Sequence, residues 1–126
     1  LKLMNDATPD WVAAILQHSE LYVSAGIAEG TEGLSLAVLE AMAAGLPIVA
    51  TKISGNVDVV CNELNGLLVD PGSSDALAEG MLRILGNSEL KQRMKEAAKK
   101  TASQYDWKEM ALRYVDLYQK MSTAYN

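Results

Sequence analysis

Short apolar runs alternate along the chain with stretches of helical periodicity. Four runs are aliphatic and are bounded by Gly, Pro or polar residues, which is typical of buried strands. They are LKLM (1–4), LYVS (21–24), PIVAT (47–51) and GLLVD (66–70). The alternation predicts a parallel sheet with right-handed crossovers and helices on both faces. We therefore expect a three-layer α/β/α fold of about four strands and five or six helices.

The predicted helices have recognisable ends. Thr8 or Asp10 can cap a first helix whose first turn contains Pro9. Residues 34–44 predict a second helix, which Gly45 ends. Further helices are predicted around 55–62, from Ser74 onward, over 88–103 and over 106–122. In the helix that begins at Ser74, the expected buried face contains Ala76, Leu77, Met81, Leu82 and Leu85.

One carboxylate interrupts the apolar second helix. From Leu34 to Leu46, the only charged residue is Glu40. A helix that is apolar all round is normally buried, and a buried carboxylate needs a partner. The partner can be a neighbouring cation such as Lys52, or a ligand. Glu32 lies eight residues before Glu40 in the sequence. A rise of eight residues along a helix corresponds to about 12 Å.

The predicted amino end of the second helix suits a phosphate. Its first backbone N–H groups are free, and the helix dipole is positive there. Gly33 permits close approach of the backbone, and the small Ser35 leaves the entrance open. Ionised carboxylates accept hydroxyl donors, so the segment predicts a linear receptor in the order sugar, phosphates, ribose. Glu29 has the wrong spacing to Glu40, and we expect it to be a solvated loop acid.

Composition and charge exclude several classes of function. The chain has 126 residues, of which 49% are apolar, and this suffices for one domain with a core. The net charge of −5, without a dense basic cluster, argues against a nucleic-acid partner. No apolar run approaches the ~20 residues of a membrane span. The opening LKLMNDATPD does not resemble a signal peptide, so we expect a cytoplasmic location.

The sequence gives no signal for a metal site or a nucleophilic thiol. It contains one histidine and one cysteine, and no Asp-x-Asp pair follows a predicted strand. We expect no metal and no cofactor. His18 is expected to interact with the carboxyl end of the first helix, and Cys61 to be a small buried hydrophobe.

The stretch EGLSLAVLEAMAAGLPIVAT (32–51) resembles the E-x7-E segment of GT-B glycosyltransferases, in the large retaining group often called family 4. The stretches SGNVDVV, NGLLVDPGSSDALAEGMLRIL and QYDWKEMALRYVDLY resemble that family's continuation, so the likeness covers residues 9–122. It implies a Rossmann-like C-terminal domain that binds a nucleotide-sugar without a metal. In the family, an N-terminal domain holds the acceptor.

The resemblance also implies roles for individual residues. Glu32 would be the catalytic candidate and would contact the donor sugar, and Glu40 would bind the ribose. The backbone amides that would face the sugar and phosphates are those of Gly33, Leu34, Ser35 and Leu36. The sequence departs from the family pattern at three positions: Leu34 replaces a common aromatic residue, Ser35 a Gly, and Asp58 a Glu.

We expect residues 1–126 to form the last two-thirds of a donor domain and to be inactive alone. The upstream part of that domain, with its basic pair for the diphosphate, and the acceptor domain would lie outside these residues. Any peripheral membrane association would come through those parts. By resemblance the last helix crosses back to the other domain, which would leave Tyr114 and Tyr118 exposed.

Two other functions stay open at this stage. One is a non-catalytic half-domain that pairs with a separate acceptor-binding chain. The other is a flavodoxin-like signalling or nucleotide-binding domain that is unrelated to sugars. An upstream acceptor domain and the basic pair in the reading frame would favour the glycosyltransferase, whereas a start codon at or just before Leu1 would favour the half-domain.

Overall fold

A computed structural model describes residues 6–27 and 34–124. The elements in chain order are α1 (Pro9–Gln17), β1 (Tyr22–Ser24), α2 (Leu36–Ala43), β2 (Ile48–Thr51), α3 (Asn56–Val59), β3 (Gly66–Val69), α4 (Ser74–Leu85), α5 (Ser88–Ser103) and α6 (Trp107–Ala124). The strands pair in parallel in the order β1-β2-β3. The predicted parallel α/β fold is confirmed, and the predicted strand at 1–4 lies outside the described residues.

Helix α1 is stabilised at both ends by its own side chains. Thr8, and not Asp10, caps the amino end, because the Thr8 Oγ1 accepts from the Trp11 backbone N–H at 3.4 Å. His18 is the residue at the carboxyl-terminal cap, and its Nδ1 lies 2.8 Å from the Ala14 carbonyl oxygen. The predicted placement of His18 at this helix end is therefore confirmed.

Helix α2 is shorter than the predicted range of 34–44. Ser35 has an extended backbone and forms the amino-terminal cap, so the helix begins at Leu36. At the other end, Gly45 adopts a φ of +80°, a left-handed conformation that favours glycine. The predicted end of the helix is confirmed, and the predicted start is two residues too early.

Helices cover both faces of the sheet, and β2 lies buried between them. One cluster joins β2 to α2, α3 and the second half of α5 through Val38, Ala41, Met42, Ile48, Ala50, Val59 and Ala98. The other joins β2 and β3 to α4 and the first half of α5 through Val49, Leu67, Ile84, Leu90 and Met94. Successive β2 side chains point to opposite faces, so both helix layers depend on this strand.

The buried face of α4 differs from the expected one. Gly80 and Ile84 are buried, whereas Leu82 and Leu85 are exposed. Residues four apart lie on the same side of a helix, as Gly80 and Ile84 do. The predicted buried face was therefore wrong in part, because it included Leu82 and Leu85 from the exposed side. Gly80 permits close packing, because a Cβ at this position would lie 3.0 Å from Cγ1 of Val49.

An exposed ion pair connects the turn before β3 to α4. The Nη1 of Arg83 donates to Oε1 of Glu63 at 2.6 Å, and its Nη2 donates to Oε2 at 2.7 Å. These hydrogen bonds hold the pKa of the Glu63 carboxyl below its usual value. Glu63 has a φ of +68°, which a non-glycine residue rarely adopts.

A buried asparagine connects the turn before β3 to α5. Asn65 is fully buried. Its Oδ1 accepts from the Cys61 backbone N–H at 2.9 Å, and its Nδ2 donates to the Val59 carbonyl at 3.0 Å. The Nδ2 also donates to the Thr101 Oγ1 at 2.9 Å. Cys61 itself is exposed, so the expectation that it is buried is wrong.

Helix α6 leaves its apolar side chains uncovered by the described residues. Those that are at least half exposed are Trp107, Leu112, Tyr114, Val115, Leu117, Tyr118 and Met121. The expected exposure of Tyr114 and Tyr118 is confirmed. None of the described helices is both long and apolar enough to cross a bilayer.

Replacing Asn65 with Ala tests the buried connection. The change leaves the Cys61 N–H and the Val59 carbonyl without their partner, so we expect the free energy of unfolding to fall by about 2–4 kcal/mol. Urea denaturation measures this loss. Asn62→Ala is the matched control, because the Asn62 Oδ1 accepts from the Leu68 N–H in an exposed setting. A control loss as large as that of Asn65→Ala would contradict the role of burial.

Candidate functional site

The amino end of α2 lies at the carboxyl edge of the sheet, because α2 connects the parallel strands β1 and β2. Ligands of parallel α/β sheets bind at this edge. The first N–H groups of a helix have no acceptor within the helix, and the Ser35 side chain makes no capping hydrogen bond to them. Helix α2 therefore offers N–H donors and a positive dipole end at this edge.

Glu40 lies on the exposed side of α2. The helix packs on the core through Val38, Ala41 and Met42, and Leu36 on the outer side is 63% exposed. The expectation that this apolar helix is buried all round is wrong, because only one side contacts the sheet and α5. Because Glu40 is exposed, its carboxylate does not need a partner to offset a cost of burial.

Lys52, the cation considered as a partner for Glu40, forms an ion pair with a different carboxylate. The Lys52 Nζ lies 3.0 Å from Oδ1 of Asp70, which follows β3. In the described part of the chain, no hydrogen bond or ion pair engages the Glu40 carboxylate. None of the described residues therefore occupies its oxygens.

Two grooves meet at Glu40. The first has a volume of about 600 Å³ and lies between α2 and the junction of α5 with α6. The second, of about 510 Å³, lies between α1 and α2. Glu40 and Ala43 line both grooves. The carboxylate thus stands on the ridge between two largely apolar surfaces.

The structure brings three of the predicted site residues to the same groove. Leu34, Leu36 and Glu40 line the first groove, and Ser35 between them caps α2. Glu32 and Gly33 lie outside the described residues. Their predicted roles therefore stay predictions.

Sequence reasoning missed the contribution of α1 to the site. The second groove is lined on its α1 side by Pro9, Val12, Ala13, Leu16 and Gln17. The available signal was the helical spacing of Pro9, Val12, Ala13 and Leu16, which places them on one side of α1. That spacing identifies the face but not the helix opposite it.

The described residues contain no group of three His, Cys, Asp or Glu side chains that could hold a metal ion. The prediction that the site works without a metal stays a prediction.

Comparison with known proteins identifies relatives of the chain. The sequence model of a family described as "Glycosyl transferases group 1" matches residues 4–101. The D-inositol 3-phosphate glycosyltransferase of Corynebacterium urealyticum is 29% identical over 123 residues. That alignment covers 98% of this chain and 28% of the relative.

Solved structures share the fold. Sucrose-phosphate synthase from Thermosynechococcus elongatus superposes with a TM-score of 0.77 at 27% identity, over 91% of this chain and 28% of that one. Anabaena HepE in complex with UDP and glucose superposes with a TM-score of 0.69 at 27% identity, over 74% and 25%. The chain thus spans less than a third of each of these proteins.

Replacing Glu40 with Gln tests whether this residue stabilises the fold. Because its carboxylate is exposed and makes no ion pair with the described residues, we expect the free energy of unfolding to change by no more than about 0.5 kcal/mol. Met42→Ala, on the buried side of the same helix, should cost about 2–5 kcal/mol in the same urea titration. A loss above about 1 kcal/mol for Glu40→Gln would contradict the exposure of this side chain and its lack of an ion pair with the described residues.

Proposed function

The chain belongs to the group 1 glycosyl transferases, and we propose that it forms the donor-binding part of a retaining enzyme of the family 4 type. The enzyme would transfer a sugar from a nucleotide-sugar to an acceptor held by another domain. One observation carries the proposal: an exposed carboxylate without an ion-pair partner among the described residues, Glu40, stands between two grooves. It lies one turn from the amino end of α2, where the Ser35 side chain makes no capping hydrogen bond.

The chemistry of this helix fits a nucleotide-sugar. An ionised carboxylate is an acceptor only, so Glu40 would accept hydrogen bonds from both ribose hydroxyls. The N–H groups at the start of α2 would donate to the phosphates. Glu32 would accept from the sugar hydroxyls and stabilise the sugar during transfer. The acceptor oxygen would replace the phosphate oxygen at the anomeric carbon, with retention of configuration.

The two grooves suggest a direction for the donor. Leu34 follows Glu32 by two residues and lines the first groove, so the sugar end would lie on that side. The nucleoside would then extend from Glu40 into the second groove. Its small apolar side chains, such as Val12 and Ala13, suit the flat faces of a base. The relative HepE, which has been solved with UDP and glucose, supports a nucleotide-sugar as ligand.

The exposed face of α6 fits a second domain. Tyr114 and Tyr118 belong to a row of apolar side chains of the kind that marks an interaction surface. We assign this face to the acceptor domain of the same or another chain. A cytoplasmic location and independence from metals remain predictions of this proposal.

Substitution of the two glutamates tests the proposal. Titration with UDP, GDP and ADP, and with UDP-glucose, GDP-mannose and ADP-glucose, identifies the nucleotide that binds. Glu40→Gln should weaken the nucleotide and its sugar ester alike, by about ten- to a hundredfold, since a charged hydrogen bond is lost. Glu32→Gln should weaken only the nucleotide-sugar. Glu29→Gln, three residues earlier in the sequence, is the matched control and should change neither affinity.

Two results would contradict these assignments. An equal loss of nucleotide and nucleotide-sugar affinity in Glu32→Gln would reverse the assigned sugar and ribose ends. Unchanged affinity in Glu40→Gln would remove the observation that carries the proposal.

Residues 1–126 alone should transfer sugar at most very slowly. Donor and acceptor would be positioned by different domains, and positioning supplies much of the rate of a transfer reaction. A radiolabelled-sugar transfer assay with residues 1–126 tests this. Robust transfer would contradict the need for a separate acceptor domain.

A further inference from the structure

Two polar side chains line the second groove, between α1 and α2. They are Glu40 of α2 and Gln17, the last residue of α1. The other described residues that line this groove are small or aliphatic: Ala7, Pro9, Val12, Ala13, Leu16, Ala43 and Ala44. In a pocket of this kind the few polar side chains fix the orientation of the ligand and determine which ligand is preferred. Gln17 is the polar group of this groove to which no role has been assigned above.

The Gln17 side chain is exposed and does not bond back to its own helix. The two side chains that follow it do so. Nδ1 of His18 lies 2.8 Å from the Ala14 carbonyl oxygen, and the Ser19 hydroxyl donates to the Ile15 carbonyl at 2.7 Å. No hydrogen bond within the described part of the chain engages the Gln17 amide. Because an amide carries an acceptor oxygen beside a donor nitrogen, Gln17 can accept from a ligand and donate to it at the same time.

Gln17 lies further from the carboxyl edge of the sheet than Glu40 does. Helix α1 leads into β1 and α2 leads into β2, each through four residues (18–21 and 44–47), and the two strands pair in parallel. The last residues of the two helices, Gln17 and Ala43, therefore lie at corresponding levels, and both line the second groove. Glu40 precedes Ala43 by three residues, which is about 5 Å along the helix. The groove thus leads from Glu40 to Gln17 over about one helical turn.

We propose that the Gln17 amide binds the edge of the nucleobase and so determines which nucleotide the chain prefers. The inference rests on the proposed function, in which Glu40 binds the ribose and the nucleoside extends into the second groove. A nucleotide bound in this way has its ribose at Glu40 and its base about one turn further along the groove, at the level of Gln17. Aliphatic side chains such as Val12 and Leu16 would pack on the faces of the ring, and the amide would form hydrogen bonds to its edge. Proteins that bind an unpaired base commonly combine these two kinds of contact.

The chemistry of the bases predicts how a carboxylate at this position would change the preference. Uracil and adenine each present one N–H donor beside one acceptor, and an amide complements both groups. Guanine presents the same pair through N1–H and O6, and in addition two adjacent donors, N1–H and N2–H. A carboxylate only accepts, so it matches the two donors of guanine and repels the acceptors of the other two bases. Exchange of the Gln17 amide for a carboxylate should therefore favour guanine.

Two substitutions of Gln17 test this inference by calorimetric titration with UDP, GDP and ADP. Gln17→Met keeps the length of the side chain and removes both polar groups, so the nucleotide that the wild-type chain binds best should bind about tenfold more weakly. Gln17→Glu should shift the ratio of the GDP affinity to the UDP affinity by about tenfold or more toward GDP. The three ligands carry the same diphosphate, so general repulsion by the added carboxylate cancels in this ratio.

Gln104 supplies the matched controls. It is exposed, it forms the carboxyl-terminal cap of α5, and it lines neither of the two grooves. Gln104→Met and Gln104→Glu should leave each of the three affinities within about twofold of the wild-type value. Because Gln17 and Gln104 are both exposed at the end of a helix, all four variants should fold as the wild-type chain does, which thermal melts check.

Glu40→Gln, titrated with the same three nucleotides, separates the inference from the proposed function. A loss of affinity in Glu40→Gln together with an unchanged GDP-to-UDP ratio in Gln17→Glu would overturn only the role of Gln17. An equal loss for all three nucleotides in Gln17→Met, with no shift of the ratio in Gln17→Glu, would indicate a contact to the ribose or phosphates and would also overturn it. Unchanged affinity in Glu40→Gln, or no binding of any nucleotide to the wild-type chain, would overturn the proposed function and the inference with it.

Discussion

Strand β2 is buried on both faces, and the packing of its side chains holds the two helix layers in place. Ile48 and Ala50 contact the layer that contains α2, and Val49 contacts the layer that contains α4. The parallel ladders to β1 and β3 fix the register of the sheet around it. Thr51 ends this strand, and its side chain is buried together with the core. The carboxyl edge of the sheet therefore has a fixed geometry on which a site can be built.

The proposed ribose-binding carboxylate depends on this geometry through α2. Glu40 is carried by α2, whose opposite side packs in the core. Its carboxylate is exposed because only one side of the helix packs on the core and the outer side faces two grooves. The packing of one side of α2 thus fixes where the acceptor on its other side lies.

Local patterns in the sequence predicted the helices and strands of the fold, but they did not predict contacts between residues that are far apart in the sequence. The apolar runs at 21–24, 47–51 and 66–70 correspond to β1, β2 and β3 within a residue at each end, because strand burial and turn residues are local properties. The partner of Lys52 is 18 residues away, and Thr101 is 36 residues from Asn65. The hydrophobic periodicity of a sequence does not indicate which distant side chains form hydrogen bonds with each other. The exposure of Glu40 was not predicted for a related reason. An apolar helical sequence does not indicate which side of the helix packs against the rest of the protein.

The most direct test of the account is an NMR titration of the isotope-labelled chain with UDP-glucose, GDP-mannose and ADP-glucose. Backbone amide resonances report the contact surface without reference to activity. The account predicts that one of these ligands shifts the resonances of Leu36, Leu39 and Glu40 in α2 and of Val12 and Ala13 in α1. Shifts confined to the Glu63–Arg83 surface, or none with any ligand, would contradict the assignment of α2 as the nucleotide-sugar site.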